Sequence, residues 1–313
     1  MNDINTWLKT TPYKDYKVTI ACADASFRKY YRLSKNENSV LLMDSSLEKE
    51  SLKPFLDVTS KLLRVGVNVP KILEQNLKDG YLIIKDFGNT HYLNVLNDKN
   101  FDKLYEKAIN VIIEMQKADT KNLFLYDKEF LHVEMNLMKE WYLEKNMQLS
   151  LHVEDEKLIR NTLDKISEVV LEQPQGVFVH RDFHSRNIMI TDKGEIGVID
   201  YQDAMNGSIT YDLVSLLKDC YIEYPRVEIE KLVLKFRDKL ALHVKDKTFI
   251  KWFDFMGLQR HIKVLGIFSR LYLRDAKDGY LKDIPLTLKY VLETSSRYDE
   301  TREFSKFLKR VTS

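Results

Sequence analysis

Residues 180–187 read His-Arg-Asp-Phe-His-Ser-Arg-Asn, and residues 196–200 read Ile-Gly-Val-Ile-Asp. An H-R-D-x-x-x-x-N loop followed by a second aspartate at the end of a strand is how phosphoryl-transfer enzymes assemble a base and a metal site. Each residue type has a reason. Transfer of a γ-phosphoryl group needs an acceptor for the nucleophile's proton, the role of Asp182. It also needs hard oxygen ligands for a divalent metal such as Mg²⁺, and Asn187 and Asp200 offer an amide oxygen and a carboxylate. Asn187 to Ile190 and Ile196 to Asp200 are β-like runs joined by the turn Asp192-Lys193-Gly194, so the chain folds back and the polar side chains converge. His180 reads as a structural residue behind the loop. The alternating His180, Asp182 and His184 could instead ligate a transition metal, but that reading leaves Asn187, the hairpin and Asp200 without a purpose.

Outward from this loop the texture differs on the two sides. Residues 16–43 read as three strands, KVTIAC, KYYRL and SVLLM, and a helical pattern over Glu48–Val65 follows. VPKIL and YLIIKDF read as two more strands around Lys78-Asp79-Gly80. Beyond Asn89 the stretches 101–117, 130–146, 155–171, 211–221, 227–243 and 249–273 carry apolar residues at helical spacing. The expected division is therefore a sheet-rich ATP-binding lobe over residues 1–88 and a helical catalytic and acceptor-binding lobe over 89–313. Asp86-Phe87-Gly88 spells the D-F-G of protein kinases but precedes the base, so it cannot supply the metal aspartate. Its place suits a hinge whose backbone, from Ile84 through Lys85 to Asp86, bonds adenine. Asp200 is followed by Tyr201-Gln202 with no activation segment, which points to a small-molecule acceptor.

Composition excludes other classes. Forty-nine basic residues against 47 acidic ones give a net charge of +2, no footprint for nucleic acid. Two cysteines, Cys22 and Cys220, are too few for a disulfide framework or a four-ligand zinc site. The start MNDINTWLKT has no leader pattern and no apolar run approaches the ~20 residues that span a bilayer, so the expectation is a cytoplasmic protein without a membrane partner. Oligomeric state is not legible; a monomer is compatible.

Four segments carry a resemblance: residues 23–30 (ADASFRKY), HRDFHSRNIM, GVIDYQDAMNGSITYDLVSLLKDCY and GLQRHIKVLGIFSRLYLRDAKDGYL. In these the chain resembles the aminoglycoside phosphotransferase and choline kinase superfamily, and most closely the bacterial kinases that phosphorylate the anomeric hydroxyl of N-acetylmuramate and N-acetylglucosamine. The resemblance implies an α+β, protein-kinase-like two-lobed fold, with ATP and Mg²⁺ as cofactors and a sugar as acceptor. An aminoglycoside or choline-like amino alcohol stays open as acceptor, and a nucleotide-binding regulatory pseudokinase as another class. The phosphate loop would comprise Ala25, Ser26, Phe27 and Arg28. Where the family opens that loop with Gly, this chain has Ala23, and its third strand lacks the phosphate-holding lysine. Arg28, Lys29 or Arg32 is left to supply that charge.

For the acceptor, proximity to the catalytic loop nominates His184, Arg186, Gln202 and Asp203. Trp141 beside Glu140 suits stacking on a sugar face, against a plain core role for the indole. Steps of 100° place Arg260, Lys263, Arg270 and Arg274 on one helix face, either as a basic wall for an acidic sugar or as an ordinary solvated face. Arg260 is the best single candidate for the lactyl carboxylate of N-acetylmuramate. Asp212 reads as a structural residue at a helix start.

Overall fold

The computed structural model describes residues 2–22 and 28–312. In chain order the elements are α1 (Asn2–Leu8), β1 (Lys17–Cys22), β2 (Lys29–Lys35), β3 (Asn38–Asp44), α2 (Leu52–Arg64), β4 (Ile72–Asn76), β5 (Tyr81–Lys85), α3 (Tyr92–Val95) and α4 (Phe101–Met115). Next come β6 (Phe124–Leu125), α5 (Lys128–Leu137), a π-helix (Met138–Asn146), α6 (Val153–Glu172), β7 (Val177–Val179), β8 (Ile188–Ile190), β9 (Ile196–Val198) and β10 (Met205–Gly207). The chain ends with α7 (Tyr211–Leu217), α8 (Arg226–Lys239), α9 (Asp246–Asp275), α10 (Ile284–Arg297) and α11 (Arg302–Thr312).

Packing divides the chain into two units that do not follow sequence order: Met1–Asn94 with Arg186–Asp203, and Val95–Ser185 with Ala204–Ser313. A linear boundary at 88/89 had left the hairpin in the helical part. The reason for the difference is backbone pairing. Ile190 N–H donates to Thr90 O at 2.8 Å, Val198 N–H to Asn68 O at 2.9 Å, and the Asn68 amide to Ile196 O at 3.0 Å.

The first unit is built on an antiparallel sheet of order β1-β2-β3-β5-β4. Period-2 alternation puts Leu33, Val40, Leu42, Tyr81 and Ile83 on one face, where α1 covers them with Ile4 and Leu8 and Trp7 stacks on Tyr81 at 5.6 Å. The fourth strand begins at Ile72 rather than Val69. Pro70 has no N–H to give a ladder, so pairing starts beyond it. Phe87 is buried, and a Cβ at Gly197 of β9 would lie 2.6 Å from its ring, so only glycine lets the hairpin close on it.

The second unit is helical, with β6-β10-β7 as a small three-stranded sheet. Strands of two and three residues fall below any periodicity signal. Its central element is α9, buried on every side from Trp252 to Gly266. Of the two readings of the basic helix face, the solvated one does not hold for Arg260 and Lys263, since both are 3% exposed; Arg274, farther along, is exposed and paired with Asp275. The expected single helix over 130–146 changes to π winding at Met138. At that point Gly266 presses on Leu137, whose carbonyl carbon would lie 2.3 Å from an added Cβ. The helices α10 and α11, like the short α1 and α3 of the first part of the chain, were not anticipated. In α10 the buried stripe contains Thr287, Thr294 and Ser295, whose polarity hides the period.

Candidate active site

The catalytic loop leaves β7 into the second unit, and its backbone is held by carboxylates. Asp212, 1% exposed at the start of α7, accepts the N–H of His180 at 2.8 Å and of Arg181 at 3.0 Å. Burial pushes its pKa up to about 6, although His180 and these two N–H groups favour the charged form. Seven residues on, Asp219 accepts both the N–H (2.9 Å) and the hydroxyl of Ser185. Arg181 takes a left-handed backbone at φ 76° and pairs with Glu134. Glu134 is itself buried, bonded to the Tyr126 hydroxyl and to Gln259 (3.0 Å), with Lys263 at 3.7 Å. Lys263 donates to the Tyr211 hydroxyl at 2.6 Å. Sequence reasoning missed Glu134 and Asp219 and read Asp212 only as a helix start. Their partners in the loop lie 31–47 residues away along the chain, where no local spacing reports them.

Asp182 sits at the tip, its side chain 46% exposed, with Arg260 3.9 Å from Oδ1. Packing against protein works against ionisation, but Lys263, His184, Arg260 and Arg181 outweigh it and bring the pKa down to about 2. His180 is buried, and its Nδ1 accepts the Asp182 N–H at 3.3 Å, which fits the structural role expected of it. The His184 ring meets Tyr221 edge-on at 5.3 Å. Among the described residues no group of three His, Cys, Asp or Glu side chains could hold a metal, so His180, Asp182 and His184 do not form one.

In the first unit the hairpin brings Asn187 and Asp200 together: Asn187 Nδ2 donates to Asp200 Oδ2 at 3.1 Å. Gln202 Nε2 donates to Asp200 Oδ1 at 2.8 Å and to Asp203 at 3.5 Å, so Gln202 serves the carboxylate beside it. Asp200 is exposed with φ 66°, which turns its carboxylate out of the ladder. Tyr201, next in sequence, is anchored inward by Phe55 (stacked at 5.3 Å) and the Thr59 hydroxyl (2.9 Å) of α2. A carboxylate and an amide oxygen side by side fit a hard divalent cation that keeps water and phosphate as its other ligands. Arg186 offers its carbonyl to His91 Nδ1 at 2.7 Å.

The expected nucleotide residues divide. Ala25, Ser26 and Phe27 lie outside the described residues. Arg28 is buried, donating to Ser51 O at 3.3 Å and lying over the Phe55 ring. Arg32 is corrected: it is tied to Asp86 through two bonds (2.6 and 3.1 Å) and to Asn89 at 2.9 Å, an internal brace rather than a cation aimed at phosphate. In the hinge, Ile84 is paired between β3 and β4, and Lys85 N–H is taken by Lys71 O at 2.9 Å. These two residues serve the sheet. In the second unit, Trp141 and Glu140 fall on the π-helix. Lys145 lies 3.6 Å over the indole and binds Glu140 at 2.6 Å, so one aromatic face is already covered.

Residues 17–237, more than half of the chain, match the Phosphotransferase enzyme family. The chain belongs to that family. It is 39% identical over 309 residues to an N-acetylmuramate/N-acetylglucosamine kinase of Neisseria meningitidis serogroup B, covering 95% of this chain and 91% of that protein. A protein of the same name from Pseudomonas aeruginosa is 36% identical, covering 92% and 86%. Among solved structures, an ADP-bound aminoglycoside phosphotransferase, APH(2'')-Ib, aligns with a TM-score of 0.63 at 18% identity over 94% of this chain and 98% of that one. The choline kinase LicA from Streptococcus pneumoniae aligns at 0.64 and 10% identity over 93% and 98%. These two establish the protein-kinase-like fold of this phosphotransferase. No helix among its described residues is long and apolar enough to cross a membrane.

Proposed function

We propose that this phosphotransferase moves the γ-phosphoryl group of ATP onto the anomeric hydroxyl of N-acetylmuramate and N-acetylglucosamine, with Mg²⁺, in the cytoplasm. The observation that carries this reading is identity of 36–39% over more than nine-tenths of the chain to kinases of that name. Asp182, Asn187 and Asp200 support it, because each keeps the residue type its step requires.

Asp182 orients the hydroxyl and receives its proton. Held at a pKa of about 2, it is ionised at every working pH but is a weak base. The proton therefore moves only after the oxygen has begun to bond to phosphorus, as a loose transition state allows. An anomeric hydroxyl, more acidic than an ordinary alcohol, lowers the demand further. Asn187 and Asp200 would hold Mg²⁺, which neutralises phosphate charge when bound. The Asp212 and Asp219 carboxylates keep the loop that carries Asp182 in one conformation.

The test is phosphorus NMR of the product formed from each sugar. An anomeric phosphate is expected, and an analogue with its anomeric oxygen methylated should be inert because no nucleophile remains. Phosphate at a primary hydroxyl, or turnover only of an aminoglycoside or amino alcohol, would overturn the assignment.

A further inference from the structure

The guanidinium of Arg260 is 3% exposed, whereas the carboxylate it faces, Asp182, is 46% exposed. An acceptor arriving from solvent therefore meets Asp182 first, with Arg260 behind it. The guanidinium is sparsely bonded for its five donors. One terminal nitrogen donates weakly to the Cys220 thiol at 3.7 Å, another lies 3.9 Å from Asp182 Oδ1, and the buried Nε has no partner. Asp182 is the one carboxylate within 4 Å of it among the described residues. Of the other cations whose fields reach Asp182, Lys263 bonds Tyr211 and lies near Glu134, and Arg181 pairs with Glu134.

We propose that Arg260 is a positioning residue for the catalytic carboxylate and not the receptor for an acidic group of the acceptor. It restrains Oδ1 from the protein side while the exposed side of the carboxylate faces the incoming hydroxyl, the long contact tightening when the acceptor is bound. This rests on the kinase reading above, but makes a distinct statement about specificity. A residue acting through Asp182 serves every acceptor alike, whereas one that binds a lactyl carboxylate serves only N-acetylmuramate.

Arg260→Met and Arg260→Lys are assayed on both sugars, and N-acetylmuramate binding is measured by calorimetry in the presence of a non-hydrolysable ATP analogue. Arg260→Met is expected to lower kcat by about 10²-fold on both sugars, the scale of a misplaced reacting group. The ratio of their kcat/KM values and the affinity for N-acetylmuramate should stay near those of the unmodified enzyme. Arg260→Lys keeps the charge without the planar fork and should recover part of kcat, again equally; should the methionine variant fail to fold, it carries the test by an equal kcat loss on both. A loss confined to N-acetylmuramate and appearing in KM would overturn the proposal, as would undiminished kcat in Arg260→Met. If the unmodified enzyme phosphorylates neither sugar, the function reading fails first, and this inference with it.

Discussion

Asp182, Asn187 and Asp200 are expected to respond differently to removal, because in the proposed mechanism one handles a proton and two handle a cation. Asp182→Asn should keep ATP binding, measured by calorimetry, while kcat drops by roughly 10²–10⁴-fold. Asp200→Ala should instead abolish the tightening of ATP binding by Mg²⁺, and excess chelator should stop turnover of the unmodified enzyme. Full activity in chelator would sink the metal assignment. The approach of Asn187 to Asp200 was legible because the hairpin that joins them is a matter of local spacing. The surroundings of Arg260 and Arg32 were not legible, for the same physical reason. A wheel or a strand position says nothing about which distant carboxylate a cation meets, and here these are Asp182, 78 residues earlier, and Asp86, 54 residues later.

At the scale of elements, α9 is the piece on which the second unit depends, and its glycines report how tightly. Gly266 lies against the Leu137 backbone, so Gly266→Ala must displace main chain and should cost about 3 kcal/mol. Gly257 faces only side chains at 3.8 Å or more, and Gly257→Ala should be neutral or stabilising by about 1 kcal/mol through helix propensity. Chemical unfolding of the two variants tests the contrast; equal midpoints would mean that the helices do not approach as closely as described. Strands β1 to β3 and β5 and most of the long helices followed from periodicity. The change to π winding after Leu137 did not, since it falls where a glycine from another helix presses in. Nor did α10, whose buried hydroxyls satisfy themselves on the preceding turn: Thr287 Oγ1 donates to Asp283 O at 2.9 Å and Ser295 Oγ to Val291 O at 2.6 Å.

For the molecule as a whole, two buried groups act on acid stability with opposite sign. His261 is held neutral, its pKa brought down to about 3 by burial first, with Arg260 and Lys218 adding to it. Its Nε2 donates to Lys218 O at 2.9 Å. Below the ordinary value near ~6.5 the unfolded chain binds a proton that the folded one refuses. This contribution is complete above that pH and is lost as pH falls toward 3. Asp212, raised to about 6, does the reverse: between ~4 and 6 the folded state takes up a proton that the unfolded state does not. His261→Asn should therefore remove an acid penalty. Relative to the unmodified protein it should gain about 2 kcal/mol at pH 5 over its difference at pH 7.5, read from urea midpoints. A pH-independent difference would show that His261 titrates normally. What the sequence by itself determined was the strand-then-helix order and the hairpin that follows the loop, because each is a matter of local spacing. Only the tertiary structure decided that residues 186–203 pack with the first ninety-four. It alone turned Arg260 onto Asp182 and drew Asp212 and Asp219 under the catalytic loop. Those outcomes depend on which buried polar groups find partners, and a buried N–H or guanidinium takes the nearest acceptor in space rather than in sequence.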